Sequence, residues 1–90
     1  MKRYVIERHI PNAGQMTPDE LSLAALHSHQ VLKGLGSDIE WVHSYVTDDK
    51  LFCVYLAKSP ELIRRHAQIS GFPADVISEV SSVLDPSHAA

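Results

Sequence analysis

A predicted β-hairpin occupies the centre of the chain, in the stretch IEWVHSYVTDDKLFCVYLA at residues 39–57. Residues 39–47 and 50–57 are rich in β-branched and aromatic side chains, which is typical of strands. Asp48 and Asp49 form the predicted two-residue turn, although the glycine that favours such turns is absent. The stretch therefore predicts two antiparallel strands that pair with each other.

Upstream of this hairpin the pattern predicts one strand and one helix. Residues 3–10 mix β-branched and aromatic residues with polar ones, which favours a strand. Thr17 is followed by a proline and, three residues later, by a glutamate, which together are typical of a capped helix start. We expect this helix to cover residues 18–33 and to end at Gly34 and Gly36.

Downstream of the hairpin a second helix and a fourth strand follow. The helix is expected to begin at residues 59–61 and to end at Gly71, and the strand to cover residues 76–84. The order β-α-β-β-α-β is the ferredoxin-like α+β plan, a four-stranded antiparallel sheet with two helices on one face. We expect one domain over residues 1–85 and a loose tail over residues 86–90.

Composition excludes several classes of function. The chain has 90 residues, 8 Lys and Arg and 11 Asp and Glu, so its net charge is −3 with neutral histidines. This balance argues against a nucleic-acid binder and against a polybasic membrane patch. No apolar run approaches the roughly 20 residues of a membrane span, and the N-terminus has no signal-peptide core. With Cys53 as the single cysteine, we expect no disulfide framework and a cytoplasmic location.

Both faces of the predicted hairpin are largely apolar, although helices on one side of a sheet leave the other side exposed. A second copy of the chain is the simplest cover for the remaining face, so we expect a homodimer that packs sheet to sheet. The pairs expected on one face are Tyr45 with Phe52, His43 with Val54 and Trp41 with Leu56. The residues expected on the other face are Val42, Ser44, Val46, Leu51, Cys53 and Tyr55.

Histidine is the unusual feature of the composition, with six in the chain. His66 falls near the middle of the apolar face of the second helix, so its ring should point at the sheet. A buried histidine needs a hydrogen-bond partner or a metal. One interpretation is a neutral core histidine bonded to a carbonyl or hydroxyl, and the other is a ligand.

Several other polar residues are candidates for a ligand pocket. Ser28 is the polar centre of the inward face of the first helix. His43 and Tyr45 lie two residues apart on one strand, so their side chains project from the same face. Glu7 and His9 do the same on the first strand. Imidazoles with a carboxylate or hydroxyls can bind Ni²⁺, Zn²⁺ or Cu²⁺, or can move protons on a small substrate.

The sequence resembles a family of small bacterial proteins of unknown function that are often labelled nickel-binding or nickel-responsive. The resemblance rests on WVHSYVTDDK at residues 41–50, FCVY at 52–55, Arg65-His66-Ala67 and GFPA at 71–74, and it extends over nearly the whole chain. It implies a ferredoxin-like fold that dimerises through the sheet into an α/β barrel.

The resemblance also implies a set of metal ligands. His27, His43 and His66 match histidines of the nickel-binding relatives by position. Phe72 stands where those relatives have a fourth histidine, and Ser28 stands where they have an acidic residue. The implied cofactor is a divalent metal, nickel ahead of zinc or copper, but these two departures leave its identity open.

Two alternatives use the same residues differently. The first is a cofactor-independent isomerase or monooxygenase of the dimeric α/β-barrel type, with a small substrate between helices and sheet. His43 or His66 would be its general base, and Tyr45 or Ser28 would orient the substrate. The second is a structural or sensing module whose histidines only satisfy hydrogen bonds. The sequence does not decide which sheet face meets the helices, because both are apolar.

Overall fold

The computed structural model describes residues 1–89, which form one antiparallel four-stranded sheet with two helices. The order of the strands across the sheet is β2-β3-β1-β4, which confirms the ferredoxin-like α+β prediction. The strands are β1 (Lys2–His9), β2 (Ile39–Val46), β3 (Lys50–Ala57) and β4 (Val76–Glu79), and the helices are α1 (Pro18–Leu35) and α2 (Pro60–Ser70). No helix of the described part of the chain is long and apolar enough to cross a bilayer.

Helix α1 begins as predicted but ends later. The Thr17 hydroxyl accepts a hydrogen bond from the Glu20 backbone N–H at 3.2 Å, and the Glu20 carboxylate accepts one from the Thr17 N–H at 3.0 Å. The prediction that Gly34 stops the helix is wrong, because an isolated glycine is tolerated inside a helix. The helix runs to Leu35, and Gly36 follows it with a φ of 89°.

The hairpin of β2 and β3 has the predicted register near its turn and a different one farther away. Tyr45 pairs with Phe52 and His43 pairs with Val54, as expected. The predicted pairing of Trp41 with Leu56 is wrong. A β-bulge between Trp41 and His43 shifts the register by one residue, so Trp41 pairs with Tyr55 and lies on the same face as Ser44. The bulge therefore places Trp41, the only tryptophan of the sequence, on the face that packs against the helices.

Strand β4 is shorter than the predicted span of residues 76–84. Its ladder to β1 ends with the Val80 N–H, which donates to the Arg3 carbonyl at 2.8 Å. Beyond that point only Lys2 of β1 remains, and the chain leaves the sheet. Residues Pro86–Ala89 then form a short exposed 3-10 turn where a loose tail was expected, and Ala90 lies outside the described residues.

The helices cover one face of the sheet, and the other face is open. The covered face holds the core, and the face left open in this single chain carries His43 and Tyr45. Alternation along β1 shows the division, since Tyr4, Ile6 and Arg8 are buried whereas Val5 and Glu7 are only half-buried. The core residues are Tyr4, Ile6, Leu32, Ile39, Cys53, Tyr55, Ala57 and Ile63.

Candidate functional site

A cavity of about 250 Å³ lies on the covered face, between the N-terminal half of α1 and strands β2 and β3. It is partly open to solvent, and its wall is mainly apolar. The polar side chains at its wall are few, which is typical of sites that hold small molecules. The main apolar contributors are Leu21, Ala24, Ala25, Trp41, Leu51 and Phe72.

Among residues 1–89, Arg8 is the one charged side chain at the cavity wall, and it is only 1 % exposed. Its Nη1 donates to the Pro73 carbonyl at 2.8 Å and to the Phe72 carbonyl at 3.3 Å. Its Nε donates to the Cys53 sulfur at 3.4 Å. Its Nη2 is buried and has no hydrogen-bond partner among the described residues. Arg8 therefore fastens the loop after α2 to the sheet and keeps one donor unused.

His66 is fully buried on the covered face, as its place on α2 predicts. Its Nε2 lies 3.1 Å from the Ser28 hydroxyl, and its ring meets the Tyr55 ring edge to face. Burial, with a smaller contribution from the Arg8 charge, lowers the pKa of His66 from 6.5 to about 4. The ring is therefore neutral at pH 7. Its Nδ1 is buried without a partner among residues 1–89.

Ser28 connects this buried histidine to the cavity, because its side chain also lines the cavity wall. The hydrogen bond between Ser28 and His66 fits the interpretation of a neutral core histidine bonded to a hydroxyl. It also gives Ser28 a partner outside its own helix. Ser28 and Tyr55 are thus the groups through which a ligand in the cavity could influence His66.

His27 lies beside this site but on the surface. Its Nε2 is 2.8 Å from the Ser70 carbonyl, and its ring meets the Phe72 ring edge to face at 5.7 Å between centroids. Position 72 is therefore the nearest aromatic neighbour of His27. A histidine at position 72 would place two imidazoles side by side here, and Phe72 removes one of them.

His43, Tyr45 and Glu7 lie on the opposite, open face. The His43 and Tyr45 rings are 5.0 Å apart, and Tyr45 is 61 % exposed. Glu7 forms an ion pair with Lys50 at 3.0 Å. The sheet itself separates these three residues from the cavity, Ser28 and His66. The structure therefore does not bring His43 together with His27 and His66 in one chain.

The described part of the chain contains no ready-made cluster of metal ligands. Within residues 1–89 no three His, Cys, Asp or Glu side chains are grouped so that they could hold a metal ion. The charge of Arg8 near His66 also disfavours a cation on the covered face.

Comparison with protein-family models gives a match over residues 4–80 to the family described as "Nickel responsive protein SCO4226-like". This chain belongs to that family. A solved structure, described as the crystal structure of SCO4226 from Streptomyces coelicolor A3(2), matches with a TM-score of 0.76 and 19 % sequence identity. The match covers 91 % of this chain and 99 % of that one, and it shows a shared fold. No curated protein matches the sequence.

The family description is consistent with a metal-related role. The structure also shows two residues of the site that the sequence did not indicate. Arg8 was not a candidate, although strand alternation places it on the same face as Tyr4 and Ile6. Trp41 was placed on the wrong face, because no local sequence signal marks the bulge beside it. Both residues line the cavity.

Proposed function

We propose that this protein is a homodimer that binds a divalent metal ion, nickel in first place, through exposed histidines where two copies meet. The observation that carries the proposal is the position of His43. It is exposed beside Tyr45 on the sheet face that the helices leave uncovered. The family description as nickel responsive supports a metal of this kind.

The open face suits a second copy of the chain. Its central side chains are half-buried apolar residues, and its edge residues Tyr45 and Val76 are strongly exposed. An isologous interface presents every residue twice, so two His43 rings enter one interface. Imidazole nitrogen is a ligand that suits Ni²⁺, Zn²⁺ and Cu²⁺. The apolar side chains at the centre of the face are Val5, Phe52, Val54 and Leu56.

His27 is the second candidate ligand, and His66 is the weakest. His27 is exposed, but its Nε2 is engaged by the Ser70 carbonyl and Phe72 replaces its expected neighbour. His66 has no exposed atoms and lies near a positive charge. We therefore assign the primary role to His43 and expect His66 to act on stability instead.

The test combines light scattering with calorimetric titration of Ni²⁺, Zn²⁺ and Cu²⁺ into metal-free protein. We expect a mass of twice 10.0 kDa and saturable binding of Ni²⁺. His43→Ala should weaken binding by roughly tenfold or more, whereas His29→Ala, an exposed histidine of α1, should leave it unchanged.

Two further variants separate the parts of this proposal. Tyr45→Glu places a charge on the open face and should give monomers that have lost nickel affinity. A monomeric wild type would contradict the proposed dimer. A dimer that binds none of the three metal ions would contradict the proposed metal site. If His27→Ala abolishes binding and His43→Ala does not, the site lies at the α1–α2 contact instead.

The acid–base enzyme is the weaker alternative. The sheet separates its candidate residues into two pairs, with His43 and Tyr45 on the open face and His66 and Ser28 on the covered face. His66 has its Nε2 engaged with Ser28 and its pKa lowered to about 4, which makes it a weak general base near pH 7.

A further inference from the structure

The environment of Arg8 is unusual for a buried charge. Arginine is always protonated, and buried charges are normally paired with an opposite charge. The ion pairs found among residues 1–89 join other side chains, and none includes Arg8. Its hydrogen-bond partners are two neutral carbonyls and a thiol, and its guanidinium carbon lies 5.8 Å from the centroid of the Tyr55 ring. None of these groups carries a negative charge, so within the described residues Arg8 lacks a counter-ion.

The neighbouring polar groups do not supply the missing negative charge. His66 is neutral at pH 7, and burial raises the pKa of the Tyr55 hydroxyl, which keeps it protonated. The Trp41 indole N–H donates to Ser44 at 2.9 Å, so that pair is already satisfied. The free Nη2 donor of Arg8 is the group at this wall that most needs an acceptor.

The rest of the cavity wall indicates what kind of ligand could bring an acceptor to Arg8. Apolar side chains from α1, β2, β3 and the loop after α2 surround a space of about 250 Å³. A cavity of about 150 Å³ is known to hold a benzene ring. The present cavity is larger by enough to accommodate a ring or short alkyl chain with one acidic group.

We propose that this cavity binds a small organic monoanion, an aromatic or short-chain carboxylate, whose carboxylate pairs with the Arg8 guanidinium while its apolar body lies against Trp41 and Phe72. This site lies on the opposite side of the sheet from His43, so it is separate from the proposed metal site. Arg8 also holds the loop at Phe72 and Pro73, so the ligand would stabilise that loop.

The experiment uses the full chain in the presence of a chelator, with sodium benzoate as probe and Trp41 fluorescence as readout. Trp41 is the only tryptophan of the chain and lines the cavity, so its emission reports occupancy directly. We expect saturable binding of benzoate. Benzamide, its uncharged analogue, should bind at least about tenfold more weakly than benzoate. This is the factor expected when one charge-assisted hydrogen bond is lost.

Two variants test the location. Ala25→Leu fills the cavity from α1 and should weaken benzoate binding at least about tenfold, whereas Gln30→Leu, on the exposed surface of the same helix, should have no effect. Arg8→Gln should remove the preference for benzoate over benzamide. If Arg8→Gln does not fold, the Ala25→Leu variant and the pair of ligands still decide the question.

Three results would overturn the proposal. Absence of any Trp41 response to benzoate at millimolar concentration would exclude the cavity as a site. Equal affinity for benzoate and benzamide would exclude recognition of the charge. Competition by sodium formate as strong as that by benzoate would exclude recognition of an apolar body.

Discussion

The two faces of the sheet are built from alternate residues of the same strands, yet they differ in what they allow polar groups to do. On the covered face, Arg8 and His66 are buried, and each retains one nitrogen without a partner in the part of the chain that the structure describes. On the open face, Glu7 pairs with Lys50 at the surface and His43 stays exposed. Burial thus fixes protonation and contacts on one side, while the other side remains available to a partner.

His66 and His43 illustrate this contrast within one residue type. The surroundings of His66 lower its pKa to about 4 and engage its Nε2, so it contributes to packing. The ring of His43 is exposed and contacts only Tyr45 among aromatic neighbours in the described chain. The same side chain is therefore a core component in one place and a candidate ligand in the other.

The largest expected difference between the two faces is in the stability lost when neighbouring β1 residues are truncated. Ile6 is fully buried, so Ile6→Ala should lower the free energy of unfolding by about 2–5 kcal/mol. Val5 lies on the open face and is half-buried, so Val5→Ala should cost about 1 kcal/mol or less within one chain. Urea denaturation of both variants measures the difference.

The same experiment tests the proposed interface when it is repeated at several protein concentrations. If the open face is buried in a dimer, the denaturation midpoint of the wild type rises with concentration, and Val5→Ala weakens that dependence. Equal costs for Ile6→Ala and Val5→Ala in a chain shown to be monomeric would contradict the division of the sheet into two faces.

Acidification should act on the covered face through His66. The unfolded chain binds a proton with a pKa of 6.5, whereas the folded chain does so only at about 4. Stability is therefore retained above pH 6.5 and falls as the pH is lowered from 6.5 to 4, by up to about 3 kcal/mol. Denaturation midpoints measured across this range, converted to free energies, give the slope.

His66→Gln provides the comparison for this slope. It removes the titrating ring, so the pH dependence between 6.5 and 4 should become flatter, although the variant is less stable at every pH. His29→Gln, at an exposed position of α1, should keep the slope of the wild type. Identical slopes in all three proteins would mean that His66 is not protected from protons. In the folded chain, the titratable groups near His66 are Arg8, Tyr55 and His27.

A change that touches neither face should have the smallest effect. An added Cβ at Gly34 meets no atom within 4 Å, and Gly34 lies inside α1. Gly34→Ala should therefore raise the free energy of unfolding by about 0.5–1 kcal/mol. Thermal unfolding measures the gain, and Trp41 emission and the dimer mass should remain unchanged. Loss of stability would show that the last turn of α1 is strained.

The sequence predicted the elements well because their signals are local. The capping box at Thr17, the turn at Asp48 and Asp49, and the central place of His66 on α2 all follow from residue type and spacing, and the structure confirms each of them. The stop at Gly34 and the end of β4 were predicted less well. A single glycine such as Gly34 is a weak signal for the end of a helix. The end of β4 depends on where its partner strand β1 begins.

The candidate site could be predicted only in part. The sequence assigned His66 and Ser28 to inward faces, and the structure joins them in one hydrogen bond. It could not place Trp41, because a one-residue bulge reverses the face of every residue beyond it. It also gave no reason to single out Arg8, whose importance comes from the absence of a counter-charge around it.

The sequence by itself determined the β-α-β-β-α-β order and the class of fold, because periodicity, caps and turns act over a few residues. The family was indicated by the resemblance of its motifs to known relatives. Only the tertiary structure decided which apolar face the helices cover, and hence that His43 lies apart from His27 and His66. The reason is that both faces of the hairpin are hydrophobic enough to be buried. Which of them meets α1 and α2 depends on packing between residues far apart in the chain, such as Ile6 of β1 and Ile63 of α2, which belong to one core cluster.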